Sequence, residues 1–310
     1  MREARGWELI ERYRANYGIP ADVTVTEQMV LEHWELEKGL AKRLLDSTPD
    51  ERPTVFEECY STLYRKLYWL NALAQGSSVS TSAAAFMEWR CLIGEPPKRI
   101  YEVGSGKGEL ISWLAANGFE CRGSEITSER GRKWTTDNLN LSWGASDGVH
   151  LDRFEPMGRY DVVVSNQVVE HLHPDDLLDH LKGVFSILAH GGRYILSTPH
   201  ASSGPCDISR VFREDRTLGM HLKEYTYGEI ASALTCAGFQ RVDAVMRLPA
   251  RVRQRLGVLD HPIPSRLYRH YLQALEMPIG AMPTQRLKRT AASAAKLFGF
   301  RPNIMVVAHK

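Results

Sequence analysis

Four histidines in the middle of the chain carry the side chain best suited to proton transfer near neutral pH. They are His171, His173, His200 and His221, and each stands after a predicted β-strand or before a predicted helix. Histidine has an unperturbed pKa of about 6.5, so much of it is neutral at pH 7 and can accept a proton from an attacking hydroxyl group. Ligands of open α/β sheets bind at the carboxyl ends of the strands, so we expect these histidines at one ligand-binding edge. We expect His171, and after it His221, to be the general base.

The stretch RIYEVGSGKG, residues 99–108, predicts the structure that places a ligand at that edge. Its apolar residues predict a short strand, its three glycines predict a loop free of side chains, and periodic apolar residues predict a following helix. Such a loop lets the backbone approach a bound ligand closely. A dinucleotide fold requires G-x-G-x-x-G, but position 109 is Glu109, and the phosphate-binding pattern G-x-x-x-x-G-K-[ST] is absent. The carboxylate at the helix start disfavours pyrophosphate and is compatible with an uncharged or zwitterionic ligand.

A second acid supports a ligand that contains ribose. Glu125 ends a second predicted strand, residues 119–126, and lies 21 residues beyond Gly104. Nucleotide-binding folds place an acid at this distance to accept both hydroxyl groups of a ribose. The other interpretation is an ordinary surface acid, and the pairing with the glycine loop favours the functional one.

The composition is that of an ordinary globular protein, with 310 residues, 43% of them hydrophobic and 25% charged. No apolar run approaches the ~18 residues of a membrane span, and the charged N-terminal stretch contains no export signal. The five cysteines are far apart and form no C-x-x-C pair, which is typical of unpaired thiols in a reducing compartment. We therefore expect a cytoplasmic location.

The basic residues are concentrated toward the end of the chain. Residues 247–310 contain twelve Lys and Arg against two acids, a local charge of +10, whereas the first 246 residues carry −8. A basic region on an acidic body indicates an anionic partner, or else only a solvated face. Residues 286–298 also predict a basic amphipathic helix of the kind that lies on anionic lipid, so a peripheral membrane contact is an expected partner.

The chain divides into four parts by pattern. Residues 1–92 predict a helical N-terminal cap, in which Tyr60, Leu63 and Tyr64 belong to an apolar stripe that either packs in the core or roofs a ligand pocket. Residues 93–247 alternate between predicted strands and helices, which is typical of a doubly wound α/β sheet. Residues 248–300 predict a basic helical insertion, and residues 301–310 predict the last strand.

Several motifs occur together in a fixed order: E-V-G-S-G-K-G, Glu125, Ser146-Asp147, Q-V-V-E-H-L and G-G-R-Y-I-L-S-T-P. Together they resemble class I S-adenosylmethionine (SAM)-dependent methyltransferases, over residues 98–247 and the last strand, about half of the chain. The resemblance implies a Rossmann-like sheet of seven strands with a reversed last strand, SAM as the cofactor, and an insertion that acts as a lid over the acceptor. The implied cofactor-binding residues are Glu102, Gly104, Ser105, Gly106, Gly108, Glu125, Ile126, Ser146, Asp147, Asn166 and Gln167.

The same resemblance implies methyl transfer to a hydroxyl oxygen of a small or glycan-like metabolite. The charge of the C-terminal region adds the expectation of an anionic acceptor, such as a phosphorylated sugar or a lipid-linked glycan. Two alternatives stay open. A small-RNA 2′-O-methyltransferase is favoured by the basic C-terminal region and disfavoured by the lack of a recognisable RNA-binding module. The other alternative is a non-catalytic partner protein with a SAM-binding fold.

The pattern Gln167-x-x-Glu170-His171 resembles the E-x-x-E-H metal motif of ubiquinone O-methyltransferases and small-RNA 2′-O-methyltransferases. The resemblance implies a divalent cation such as Mg²⁺ on Glu170 and His171, with His221 as a further ligand. Such a cation would lower the pKa of an acceptor hydroxyl group. Gln167 stands where the motif has its first glutamate, and an amide is a weaker ligand than a carboxylate. The other interpretation is that Glu170 makes only local hydrogen bonds.

Overall fold

The sheet is the central feature of the computed structural model, which describes residues 5–73, 79–247 and 262–310. In these residues eight strands form one sheet in the order β3–β2–β1–β4–β5–β8–β6–β7. The strands are β1 (Arg99–Val103), β2 (Glu120–Ser124), β3 (Leu141–Gly144), β4 (Tyr160–Asn166), β5 (Leu188–Pro199), β6 (Arg241–Met246), β7 (Ile263–Ser265) and β8 (Asn303–His309).

Strand direction changes only on one side of the sheet. Strands β3, β2, β1, β4 and β5 pair in parallel, and β8 runs antiparallel between β5 and β6. The predicted α/β sheet with a reversed last strand is therefore confirmed. Val162, Val163 and Val164 of β4 are completely buried, as expected for a central parallel strand that is covered on both faces.

The sheet has one strand more than the seven predicted. Strand β7 pairs antiparallel with β6 at the edge of the sheet, within the segment that was predicted to be a helical insertion. Pro264 in this strand has no N–H to donate, and an edge strand tolerates proline because one of its sides needs no partner.

Helices cover both faces of the sheet. Those of the described residues are α1 (Trp7–Tyr17), α2 (Glu27–Leu45), α3 (Arg52–Lys66), α4 (Tyr68–Leu73), α5 (Val79–Ile93), α6 (Glu109–Ala116), α7 (Leu177–Ile187), α8 (Tyr227–Cys236), α9 (Arg266–Gly280) and α10 (Gln285–Ala295). One core cluster joins α5 and α6 to one face of the sheet, and a second joins α7, α8 and α9 to the other. The result is the three-layer arrangement of a doubly wound domain.

The N-terminal helices pack on the long connection between β5 and α8. Trp34 of α2 stacks on Phe212 with ring centroids 4.6 Å apart. Leu44 and Met220 share a further buried apolar cluster with α3. Because these apolar contacts fix α2 against the connection, polar residues of α2 come to lie beside residues 219–221.

The described part of the insertion packs beside the sheet. Leu272 and Ile279 of α9 are buried in the core that contains β6 and α8. Glu276 accepts the backbone N–H groups of Tyr227 (2.9 Å) and Gly228 (2.8 Å), which satisfies the first donors of α8. The remainder of the predicted insertion, residues 248–261, lies outside the described residues. None of the described helices is long and apolar enough to cross a membrane.

Candidate active site

A cavity of about 660 Å³ lies at the carboxyl ends of β1, β2 and β4. Phe56, Tyr60 and Tyr64 of α3 line it from above, so the aromatic stripe of the N-terminal helices contributes to its roof. Nine of the eleven predicted cofactor-binding residues also line it. These are Glu102, Gly104, Ser105, Gly106, Glu125, Ile126, Ser146, Asn166 and Gln167.

The glycine loop follows β1 with its backbone turned toward this cavity. Gly104 and Gly106 have φ angles of 61° and 59°, a left-handed conformation that favours glycine. The N–H of Gly106 donates to Oε2 of Glu125 at 2.7 Å, so the loop and the acid after β2 are already joined. A Cβ at Gly104 would lie 2.9 Å from Val168 Cγ2, and the space beside the loop therefore depends on glycine.

Two predicted cofactor residues do not line the cavity. Gly108 faces Thr135 and Trp143, where a Cβ would come within 2.5 Å of the Thr135 methyl group, so this glycine serves packing. Asp147 turns to its own loop: its Oδ1 accepts the N–H groups of Val149 (2.8 Å) and His150 (2.7 Å). A short acidic side chain commonly satisfies the backbone two residues ahead in this way. The sequence pattern located the loop but not the direction of its side chains.

Two carboxyl groups beside the glycine loop in the cavity have perturbed acidity. Burial raises the pKa of Glu102 to about 8, and Oε2 of this residue has no hydrogen-bond partner among the described residues. Burial also raises the pKa of Glu125, against the opposing effects of the Gly106 N–H and the Arg130 guanidinium. A buried acid with an unpartnered oxygen is suited to a cationic or hydrogen-donating ligand group.

His171 and His221 lie together at the other end of the cavity, with ring centroids 4.9 Å apart. Nδ1 of His171 donates to the carbonyl of Met220 at 2.8 Å, and burial together with the charge of His221 lowers the pKa of His171 to about 3. Nδ1 of His221 donates to Oε1 of Glu224 at 2.9 Å. Burial opposes a charged His221, but this bond and the carboxylates of Glu170 and Asp207 outweigh burial and raise its pKa.

The other two histidines have structural partners instead. Nε2 of His200 pairs with Glu276 at 3.1 Å, and its side chain is completely buried. His173 accepts the backbone N–H of Asp175 at 3.2 Å, which caps the helical turn before α7. Neither residue lines the cavity.

The comparison with known families agrees with this geometry. A model of the methyltransferase domain matches residues 82–244, which is more than half of the chain. The chain belongs to this family. It is a SAM-dependent methyltransferase of class I. No curated protein sequence matches it significantly.

Two solved structures show the same fold at low sequence identity. A SAM-dependent methyltransferase from Archaeoglobus fulgidus is 17% identical, with a TM-score of 0.50 over 78% of this chain and 99% of its own. The 1,6-didemethyltoxoflavin-N1-methyltransferase of Burkholderia thailandensis is 15% identical, with a TM-score of 0.51 over 85% of this chain and 91% of its own. The latter was solved with 1,6-didemethyltoxoflavin and S-adenosylhomocysteine bound. The likeness to both establishes the fold of this methyltransferase.

Glu170 brings a third ligand atom to the two histidines of the methyltransferase. One ligand atom from each of Glu170, His171 and His221 lies within 4.8 Å of the others. Oε2 of Glu170 accepts the hydroxyl proton of Thr198 at 2.9 Å, whereas Oε1 is buried and has no partner in the described part of the chain. Burial raises the pKa of Glu170 to about 7. The predicted metal ligands are thus adjacent, and an orphaned carboxylate oxygen lies among them.

The sequence analysis missed two further acids of this site, Glu37 and Asp207. Glu37 of α2 accepts the backbone N–H of Met220 at 3.0 Å, and Asp207 accepts that of Gly219 at 3.0 Å. Both carboxylates line the cavity, and together they hold the two residues before His221. One sequence feature could have indicated Glu37: His33 and Glu37 are two ionisable residues one turn apart on the apolar face of a predicted helix.

Glu37 itself ends a buried chain of polar side chains. Its Oε1 bonds Nε2 of His33 at 2.7 Å, and Nδ1 of His33 bonds the hydroxyl group of Tyr13 at 2.7 Å. The N-terminal helices therefore reach the methyltransferase site through hydrogen bonds as well as through the aromatic roof. By contrast, no residue of the described part of the insertion lines the cavity.

Proposed function

We propose that this methyltransferase transfers the methyl group of SAM to a hydroxyl oxygen of a small or glycan-like acceptor held beside His171 and His221. The observation that carries the proposal is a single cavity that contains the glycine loop with Glu125 at one end and a carboxylate-backed histidine at the other. Bound SAM supplies a methyl group on a positively charged sulfur. An attacking atom takes the methyl group in line, and the sulfur is the leaving group. The residues of this chain position the two reactants, and positioning provides much of the rate in such reactions.

The cofactor half would be served by residues after β1, β2 and β4. Glu125 has acceptor sites left for ribose hydroxyls beyond its bond from Gly106, because a carboxylate offers about four lone-pair sites. The partnerless Oε2 of Glu102 fits the ammonium group of the methionine part, which would supply the missing hydrogen bond. Contacts from the remaining residues of the cavity would complete the site: Gly104, Ser105, Ile126, Ser146, Asn166 and Gln167.

In the acceptor half we assign the general base to His221 rather than to His171. Burial holds the pKa of His171 at about 3, so this residue is a neutral hydrogen-bond partner and a weak base. The pKa of His221 is raised, so its ring is the stronger base of the two. Glu224 fixes the Nδ1–H tautomer of His221, so the other ring nitrogen is free to take a proton, as in hydrolase triads.

The charges at the acceptor end favour a neutral reacting group. Glu37 and Asp207 line this end together with aromatic side chains. Arg130, whose guanidinium group lines the cavity, stacks on Tyr64 at 4.0 Å and donates to Asn71 at 3.0 Å. An anionic acceptor would therefore place its phosphate or lipid carrier outside the cavity.

We also assign the role of a lid over the acceptor to the N-terminal cap, residues 1–92, and cofactor binding to residues 93–247 with the last strand.

A metal-assisted arrangement is the second candidate, because Glu170, His171 and His221 form a compact donor set. The unpartnered Oε1 of Glu170 would gain a ligand, so the residues fit a divalent cation. Two imidazoles with one carboxylate suit Zn²⁺ or another transition metal better than Mg²⁺, which prefers oxygen ligands. The ion would polarise the acceptor hydroxyl group.

Isothermal calorimetry and methyl transfer test the proposal together. We expect the protein to bind SAM and not NAD, and Glu125→Gln to weaken SAM binding about tenfold or more because a charged acceptor is lost. Glu129→Gln is the matched control, since this acid is near in sequence and does not line the cavity. Transfer of labelled methyl from SAM should then be screened over cell extract fractions separated by charge. Absence of heat with SAM would refute the proposal, and labelled RNA as the main product would favour the RNA alternative.

A further inference from the structure

We propose that a surface formed by α9 and the turn after α10 docks this enzyme onto a membrane of anionic lipid. This surface, the apolar tip, consists of Leu267, Tyr271, Leu297 and Phe298. Their exposed fractions are 83%, 43%, 88% and 67%. None of the four lines the cavity, so the inference does not depend on the proposed reaction.

Hydrogen bonds join the two segments of the apolar tip into one surface. Leu267 and Tyr271 lie one turn apart on the same face of α9. The hydroxyl group of Tyr271 donates to the carbonyl of Phe298 at 2.7 Å, and that of Tyr268 donates to the carbonyl of Gly299 at 2.7 Å. These bonds hold the turn that carries Leu297 and Phe298 against the part of α9 that carries Leu267 and Tyr271.

The segments that form the apolar tip are rich in basic residues. Residues 262–301 contain seven Lys and Arg and a single acid, Glu276. That acid is buried and bonded to His200 and to the start of α8, so it does not offset the charge at the surface. Arg266 and Lys296 directly precede Leu267 and Leu297 and are exposed, and α10 adds Arg286, Lys288 and Arg289.

An anionic lipid surface satisfies both properties at once. Cations near the headgroups are attracted to anionic lipid. The free energy of the system falls when exposed Leu and Phe side chains enter the acyl region. A nucleic acid would pair with the cations, but it offers little apolar surface against which aliphatic side chains could be buried. A second copy of this chain would bring the same positive charge face to face. The combination of cations with exposed apolar side chains, two of them leucines, therefore points to lipid.

The position of the apolar tip is compatible with catalysis at a membrane. The N–H of His200 donates to the carbonyl of Pro302 at 2.8 Å, and Asn303 pairs with Pro199 at the end of β5. The chain that follows Leu297 and Phe298 thus enters the sheet at its carboxyl edge, the same edge at which the cavity lies. Docking through the apolar tip would hold that edge toward the lipid.

Vesicle co-sedimentation of the full chain tests this inference. Vesicles of phosphatidylcholine alone are compared with vesicles that contain roughly one third phosphatidylserine, at low and at high salt. We expect binding to the anionic vesicles only, and loss of binding at high salt. The double variant Leu297→Ser/Phe298→Ser should weaken the partition about tenfold or more, because two apolar side chains no longer enter the lipid.

A matched double variant separates this surface from general hydrophobicity. Leu139→Ser/Met157→Ser removes two apolar side chains of similar exposure, 106% and 76%, and should leave binding unchanged. All four substituted positions are exposed, so thermal unfolding should be the same for both variants. Equal binding to neutral and anionic vesicles, no binding at low salt, or an equal loss in the control variant would overturn the inference. So would RNA binding that depends on Leu297 and Phe298 while vesicle binding does not.

Discussion

Glu37 and His171 hydrogen-bond to the two backbone groups of one residue, Met220. The N–H of Met220 donates to Oε2 of Glu37 at 3.0 Å, and its carbonyl accepts the Nδ1 proton of His171 at 2.8 Å. A neutral histidine that donates through Nδ1 keeps a lone pair on Nε2. Glu37 therefore holds Met220 in place, and the carbonyl of Met220 fixes the Nδ1–H tautomer of His171.

This relationship predicts that Glu37 positions the site without touching the cofactor. Glu37→Ala should lower kcat about 10–100-fold, because a loop displaced by a fraction of an ångström misplaces both histidines. SAM affinity should change little, since the glycine loop and Glu125 are separate from α2. Glu37→Gln keeps an oxygen for the Met220 N–H and should restore most of the activity. Methyl-transfer assays quenched at fixed times measure kcat, and calorimetry measures SAM affinity.

Glu35→Ala is the control for Glu37, because Glu35 lies on the same helix and its exposed carboxylate pairs with Lys38 at the surface. A parallel loss of SAM affinity and kcat in Glu37→Ala would indicate general unfolding rather than positioning. Full activity of Glu37→Ala would show that the Met220 bond has no role.

Glu224→Gln should change the pH dependence of the reaction. The Glu224 carboxylate favours the protonated form of His221, so its loss lowers the pKa of His221. The rise of kcat/KM with pH, which follows deprotonation of the base, should therefore move to lower pH, and kcat should fall about tenfold or more. The profile is measured with a chelator present, which removes any metal from the histidines. An unchanged profile would assign the base to another group.

Glu102 should make the protein less stable as the pH rises. The carboxyl group has a pKa of about 8 in the folded protein against 4.5 ordinarily, so the folded state holds a proton that the unfolded chain releases. Stability is therefore lost between pH 4.5 and about 8. Glu102→Gln should raise the unfolding free energy by about 1–3 kcal/mol at pH 8, have little effect at pH 4.5, and weaken SAM binding.

Thermal unfolding across this pH range measures the effect. Glu120→Gln on the neighbouring strand serves as the control, since its carboxylate is exposed and pairs with Arg159. A stabilisation of Glu102→Gln that is independent of pH, or none at pH 8, would contradict the prediction.

Metal binding is predicted to become tighter as Glu170 loses its proton. A cation competes with protons for its ligands, and the pKa of this carboxyl group is about 7. Calorimetry should show Zn²⁺ bound more tightly at pH 8 than at pH 6, and Glu170→Gln should weaken binding about tenfold or more. If a chelator leaves methyl transfer unchanged, the metal-free arrangement with His221 as the base is the one in use. No binding of Zn²⁺ at either pH would end the metal-assisted candidate.

The order of elements could be predicted from the sequence because the signals are local. The glycines at 104 and 106, the apolar run at 162–164 and the acid at 125 each act within one strand, turn or helix. Their position in the sheet follows from topology rules for parallel strands. Strand β7 was missed because three residues at an edge, one of them Pro264, carry too little periodicity.

The direction of individual side chains at the site could not be predicted in the same way. Asp147 and Ser146 are neighbours in sequence, yet only Ser146 lines the cavity, because Asp147 satisfies the backbone of its own loop. His200 has the same predicted setting as His171, yet packing of α9 gives it Glu276 as a partner.

By itself the sequence determined that this chain folds as a class I methyltransferase with a glycine loop after β1 and an acid after β2. Only the tertiary structure decided which groups surround the acceptor. Glu37 and His171 are 134 residues apart in sequence. They meet because the apolar faces of α2 and α3 are buried against the connection after β5. The pKa values of His171 and His221 then depend on that burial, which cannot be predicted from the spacing of residues in the sequence.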